Sequence, residues 1–119
     1  MKIILIDKDI QIRECLRSLF EYLGFDCVES GGEFREHEVD ELGQFDLIVA
    51  DAQVPVTFLR ELVRHCQRWV PGIPLIILGH AQAEVQANIV NRLPKPIELR
   101  ELILAVQKIS RPVVCGASY

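Results

Sequence analysis

The sequence predicts an α/β domain built on a parallel sheet wound with helices on both faces, and three observations predict it. First, three apolar runs of strand length, Ile3-Ile4-Leu5-Ile6, Leu47-Ile48-Val49-Ala50 and Leu75-Ile76-Ile77-Leu78, are continuous rather than alternating. Continuous runs mark strands buried on both faces, the usual state of a parallel sheet. Second, segments with apolar residues at helical spacing separate these runs, so strand and helix alternate along the chain. Third, two of the runs end on acid, at Asp7 and Asp51. These lie at the carboxyl ends of their strands, where open parallel sheets gather ligands and chemistry.

Taken in order, residues 2–6 form the first strand, and Asp9 is placed to cap the helix that follows. In that helix Ile12, Cys15, Leu16, Leu19, Phe20 and Leu23 recur at helical spacing, and Gly24 stands just past its end. A short strand over about 26–29 precedes Gly31-Gly32, and 33–42, with Phe34, Val39 and Leu42, reads as a short helix. The central strand, 47–50, leads through Asp51 to Pro55; Phe58, Leu59, Leu62, Val63 and Cys66 then make a second apolar stripe, stopped by Pro71-Gly72. Pro74 introduces the strand 75–78, which ends at Gly79-His80. A short polar helix is expected over 81–90, then a brief extended piece before Lys95-Pro96. The last helix, about 97–109, should face Leu99, Leu102, Ile103 and Val106 inward, and Ser110-Arg111-Pro112 breaks it.

A chain of 119 residues is one domain with room for a core that needs no disulfides or metal. The formal charge of −4 argues against nucleic-acid binding by this segment, which would want a basic patch. No apolar run reaches membrane-spanning length, and the run after Lys2 is too short for a signal peptide, so a cytoplasmic location is expected. Cys15, Cys27, Cys66 and Cys115 form no C-x-x-C pair; Cys15 and Cys66 fall in apolar stripes and read as small buried hydrophobes. His37, His65 and His80 are equally dispersed, and no metal constellation is visible among them. His80 reads as a solvated loop residue.

Three groups of residues in register then carry a resemblance. They are Ile3 to Asp9 as an acidic loop, Asp51 with Pro55 as a phosphoacceptor strand, and Leu93-Pro94-Lys95-Pro96 as a Lys-Pro step. Over nearly the whole chain, Lys2 to Ile109, the sequence resembles the receiver domain of two-component response regulators. The resemblance implies a flavodoxin-like (CheY-like) five-stranded parallel sheet of order 2-1-3-4-5, with residues 1–110 as the receiver and 111–119 as a linker toward an output domain. It implies phosphoryl transfer from a histidine kinase or phosphotransfer protein to Asp51, with Mg²⁺ held by Asp7, Asp51 and the Gln53 backbone carbonyl. Lys95 would pair with the acyl phosphate as a point charge, and Pro96 would aim it through a cis Lys-Pro bond. The output expected most often is a DNA-binding transcriptional domain, and a homodimer is possible. No enzyme activity is expected beyond self-phosphorylation from a phosphodonor and slow autodephosphorylation.

The residue types suit this chemistry, because a carboxylate attacks phosphorus only when the incoming group's negative charge is neutralised. Several positions depart from the family's pattern. Lys8 stands where a second acid usually ligates the metal, which would weaken the metal site; it could instead pair with Asp51, or be an ordinary solvated lysine. Asp9, one place further on, is a cap or an additional member of the acidic pocket. The switch hydroxyl appears as Gly79 and the switch aromatic as Arg92, and the stretch between Gly79 and Lys95 is shorter than usual, which implies a shortened fourth helix. Two other readings stand beside the phosphorylated receiver. One is a phosphorylation-independent pseudo-receiver used for dimerisation or docking, with Lys8 occupying the metal site. The other takes Asp7-Lys8-Asp9 as the D-x-D start of a haloacid-dehalogenase-like phosphatase, against which the chain has no room for a cap and no late Asp-Asp pair.

Overall fold

In a computed structural model the described residues are 1–31, 45–55, 57–61, 64, 72–79 and 88–110. Five parallel strands form one sheet in the order β2-β1-β3-β4-β5: β1 Lys2–Ile6, β2 Asp26–Ser30, β3 Leu47–Asp51, β4 Pro74–Leu78 and β5 Asn88–Leu93. Two helices are described in full, α1 (Ile10–Tyr22) and α2 (Leu99–Ser110), with a further helical stretch at 57–61. This is the doubly wound architecture and strand order expected from the sequence.

The strand side chains divide the core in two, because successive residues of a strand face opposite sides. Ile4, Ile6, Ile48, Ala50, Leu75 and Ile77 join Val54, Leu59 and partly buried Phe58 on one face. Ile3, Leu5, Leu47, Val49, Ile76 and Leu78 face the other way, against Leu16 and Phe20 of α1 and Leu102, Ala105 and Val106 of α2. Both faces being covered explains why β1, β3 and β4 read as unbroken apolar runs.

Asp9 is the N-cap of α1: its Oδ1 accepts from the backbone N–H of Gln11 at 2.9 Å and of Ile12 at 3.4 Å. The far end closes as a Schellman turn, Phe25 N–H donating to Phe20 O and Gly24 N–H to Glu21 O, both at 3.0 Å. Gly24 takes φ +91°, which a side chain would disfavour.

Four expectations need correction. Residues 88–90, assigned to a helix, are the start of β5; a register shift opposite Leu75/Ile76 lets the edge strand carry an extra residue. Leu99 was placed inward but is 46% exposed, because α2 begins there and its buried stripe starts one turn later at Leu102. Cys15 is exposed, since the α1 stripe centres on Leu16 and Phe20 and leaves Cys15 on its rim. Ser30 extends β2 by one residue. The helices expected at 33–42 and 81–87, residues Leu62, Val63 and Cys66, all three histidines, Cys115 and the tail 111–119 lie outside the described residues.

Phe20 has no exposed surface whereas Tyr22, two residues on, is 88% exposed. Phe20→Ala should therefore lower unfolding free energy by about 3–5 kcal/mol in urea denaturation. Tyr22→Ala should stay within about 0.5 kcal/mol of the parent.

Candidate functional site

The carboxyl edge of the sheet brings together residues far apart in sequence. Asp7 follows β1, Asp51 ends β3, Gly79 follows β4 and Lys95 follows β5. The register aligns them: Asp51 lies opposite Leu78, the Ala52 N–H donates to Leu78 O at 2.9 Å, and the Gly79 N–H donates to Leu93 O at 2.7 Å. Asp7 is fixed on its other side by its N–H donating to Ser30 O at 3.1 Å.

Asp7 and Asp51 are the two buried charged residues among those described, each 6% exposed. Asp51 is ion-paired: its Oδ1 lies 2.5 Å from Lys95 Nζ, although the contact lacks the alignment of a directed hydrogen bond. Its Oδ2 accepts from the Gln53 N–H at 3.3 Å. Asp7 Oδ1 accepts from the Asp9 N–H at 2.8 Å, while Asp7 Oδ2 is buried with no hydrogen-bond partner. Burial, first, and then the Asp51 and Asp9 charges push the Asp7 carboxyl above its usual range, against the lowering effects of the Asp9 N–H and Lys95. One lysine thus faces two buried carboxylates.

The Lys95-Pro96 peptide is cis, as the resemblance implied. Gly79 is buried with φ +98°, and a Cβ there would stand 3.4 Å from Ala52 Cβ and 3.7 Å from Cδ and Cε of Lys95. The lysine stem therefore lies against the face of Gly79 where a side chain would be. Arg92 is exposed on β5.

Two of the sequence alternatives are resolved here. Lys8 is exposed, and the cation on Asp51 is Lys95, so Lys8 neither pairs with Asp51 nor occupies the pocket. Asp7 is buried while its neighbour Lys8, at the bend that follows β1, is exposed. Asp9 is also exposed, and its Oδ1 is taken up by the α1 cap. The acidic pocket among the described residues therefore comprises Asp7 and Asp51.

No three His, Cys, Asp or Glu side chains converge among the described residues. A pair of buried carboxylates nonetheless suits Mg²⁺, which is usually held by one or two carboxylates and keeps several waters. The orphaned Asp7 Oδ2 and the Asp51 carboxylate are the atoms that would serve, with the Gln53 carbonyl as the further ligand that the resemblance implies. Alongside the pocket runs an apolar groove of about 390 Å³ between α1 and the β5–α2 loop. Ile12, Cys15, Leu16, Pro96, Ile97 and Leu99 line it, and Lys95 reaches it. The sequence reading missed this groove because its walls come from segments some eighty residues apart.

A five-stranded parallel sheet in this order, with buried acids after β1 and β3 and a lysine after β5, defines a response-regulator receiver domain. The chain belongs to the family of the flagellar regulatory protein FleQ, whose pattern it matches over residues 2–109. It is 29% identical over 124 aligned positions to the phosphate regulon transcriptional regulatory protein PhoB of Pseudomonas aeruginosa. That match covers 98% of this chain and 54% of PhoB, so the chain spans about half the length of this relative. Among solved structures, a putative pilus assembly protein, CpaE, of Burkholderia thailandensis superposes with a TM-score of 0.72 at 18% identity, covering 94% of this chain and 99% of that one. The chemotaxis protein CheY4 of Vibrio cholerae gives 0.70 at 19%, covering 91% and 97%. A Francisella response-regulator receiver domain gives 0.68 at 22%, covering 91% and 94%. At these identities the structural likeness is one of fold. No described helix is long and apolar enough to cross a membrane.

Two predictions follow from the pocket. The folded protein holds the Asp7 proton more tightly than the unfolded chain, so ionised Asp7 destabilises the fold above its raised pKa. This burden fades as pH falls toward the ordinary value of 3.8. Asp7→Asn should accordingly raise Tm at pH 7, with a gain that shrinks on acidification, as read by thermal melts across pH. Gly79→Ala should cost about 1–2 kcal/mol in urea denaturation, since an L-residue is forced into left-handed backbone.

Proposed function

We propose that the domain accepts a phosphoryl group on Asp51 from the phosphohistidine of a partner kinase or phosphotransfer protein and passes that state to an attached output domain. The observation that carries this reading is a buried carboxylate whose only cation among the described residues is a half-exposed lysine, 39% accessible, beside a second buried carboxylate with an unpartnered oxygen. In transfer, the Asp51 carboxylate attacks phosphorus in line as the P–N bond breaks, and the imidazole leaves with the bonding pair and takes up a proton. Lys95 then shifts its charge from Asp51 Oδ1 to a phosphoryl oxygen. A bound Mg²⁺ would supply charge neutralisation at the phosphoryl oxygens, held by Asp7, Asp51 and the Gln53 carbonyl. The apolar groove beside Lys95 offers the partner a surface to dock on while its histidine approaches Asp51. Transcription control is the output that the likeness to PhoB supports.

One observation favours a second reading, a domain that docks or dimerises without phosphorylation. The switch positions hold Gly79, in a backbone conformation suited to glycine, and an exposed Arg92, so the usual hydroxyl and aromatic are both missing. A conformational change needs contacts that differ between its two states, and here they would have to arise elsewhere.

Intact-mass spectrometry after incubation with acetyl phosphate and Mg²⁺ separates the two. An adduct of one phosphoryl group on the parent chain, absent from Asp51→Ala, is expected. An unlabelled chain, next to a competent receiver labelled in parallel, would establish the docking reading instead.

A further inference from the structure

Among the described residues no side chain donates to the Asp7 carboxylate, so the direction of its unpartnered oxygen depends on how its backbone is held. Three contacts hold it: the Asp7 N–H donates to Ser30 O at 3.1 Å, Oδ1 accepts from the Asp9 N–H at 2.8 Å, and the Asp7 carbonyl accepts from Arg13 Nη1 at 3.0 Å. The third comes from a side chain on the first turn of α1. It is also the contact least expected from the sequence, where Arg13 is one more polar residue on an amphipathic helix.

Arg13 is built into its place. Its side chain is 16% exposed, and its Nε lies 3.6 Å from Glu29 Oε1 on β2. The other oxygen of Glu29 accepts from Arg17 Nη1 at 3.0 Å, which fixes the carboxylate that braces Arg13. Glu29 directly precedes Ser30, so the end of β2 grips Asp7 from both sides, through the Ser30 carbonyl and through Arg13. Gly31 completes the seat: a Cβ at this position would stand 2.6 Å from Arg13 Nη1, closer than real contacts allow. Gly31 does not have positive φ, so what a side chain here would disturb is the position of the guanidinium rather than the backbone.

We propose that Arg13 is a positioning residue for the Asp7–Asp51 site: braced on Glu29 and seated over Gly31, it holds the Asp7 carbonyl and thereby directs Asp7 Oδ2 toward a divalent cation. The proposal rests on the reading that these carboxylates take such a cation. Its action is geometric, through a guanidinium fork that lysine cannot reproduce, and outer contacts of this kind commonly govern metal affinity.

The test is Mn²⁺ binding to the whole chain, followed by the electron paramagnetic resonance of free Mn²⁺, on the parent, Arg13→Lys, Gly31→Ala, Asp51→Asn and Leu102→Ala. Gly31→Ala keeps the arginine charge and only displaces the guanidinium; Leu102→Ala destabilises a fully buried site in α2 and so controls for stability. Arg13→Lys and Gly31→Ala should each weaken Mn²⁺ binding by about tenfold. Without metal, both should speed hydrogen exchange of the Asp9 amide, whereas Leu102→Ala should lower Tm and bind Mn²⁺ like the parent. Parent-like affinity in both Arg13→Lys and Gly31→Ala overturns the role of Arg13 while leaving the cation site intact. Affinity that simply follows Tm, with Leu102→Ala losing as much, makes Arg13 a stability residue. A parent that binds no more Mn²⁺ than Asp51→Asn removes the cation reading, and the positioning role falls with it.

Discussion

Among the described residues, the carboxyl edge of the sheet holds two buried carboxylates against one lysine, and the local structure is arranged around that imbalance. A buried charge without a partner is costly, yet Asp7 and Asp51 are both sealed to 6% exposure. Asp51 is offset by Lys95; Asp7 has only a backbone N–H and a carboxyl held above its usual range. Sites that bind or react commonly carry such a deficit, since an incoming cation or a bonded phosphoryl group removes it. The Asp9 N–H in the β1–α1 loop and the Gln53 N–H in the turn after β3 each hold one carboxylate of the cluster in place.

The lysine is more than a charge in this pocket. Its stem lies within contact distance of the point where another residue type would put its Cβ at position 79. Because Gly79 has left-handed backbone, any side chain at this position would strain the strand end, and its Cβ would pack directly on the Lys95 stem. The glycine and the lysine conformation are thus coupled.

Much of the fold was legible because burial on two faces leaves an unmistakable pattern: Ile3–Ile6, Leu47–Ala50 and Leu75–Leu78 could hardly be anything but interior parallel strands. The edge strand β5 was legible only in part. Asn88 to Arg92 has no continuous apolar run, and the bulge opposite Leu75/Ile76 removes the regular alternation that would otherwise reveal it. Cys15 and Leu99 were misplaced for a related reason. Helical spacing identifies a stripe but not its width, and one residue of rotation separates the core from the rim.

The sequence by itself determined the site's chemical inventory: acids after two interior strands, a Lys-Pro step after the last, and a cap residue at Asp9. These are local facts, set by residue type and by strand and helix periodicity. Tertiary structure alone decided which charge meets which. Lys95, and not Lys8, reaches Asp51, because strand pairing brings positions 51 and 95 together while Lys8 lies exposed at the bend after β1. It also decided that Arg13 would grip Asp7 and that Gly31 would make room for it. Such contacts join α1 to the end of β2 through space, and no spacing along the chain encodes them.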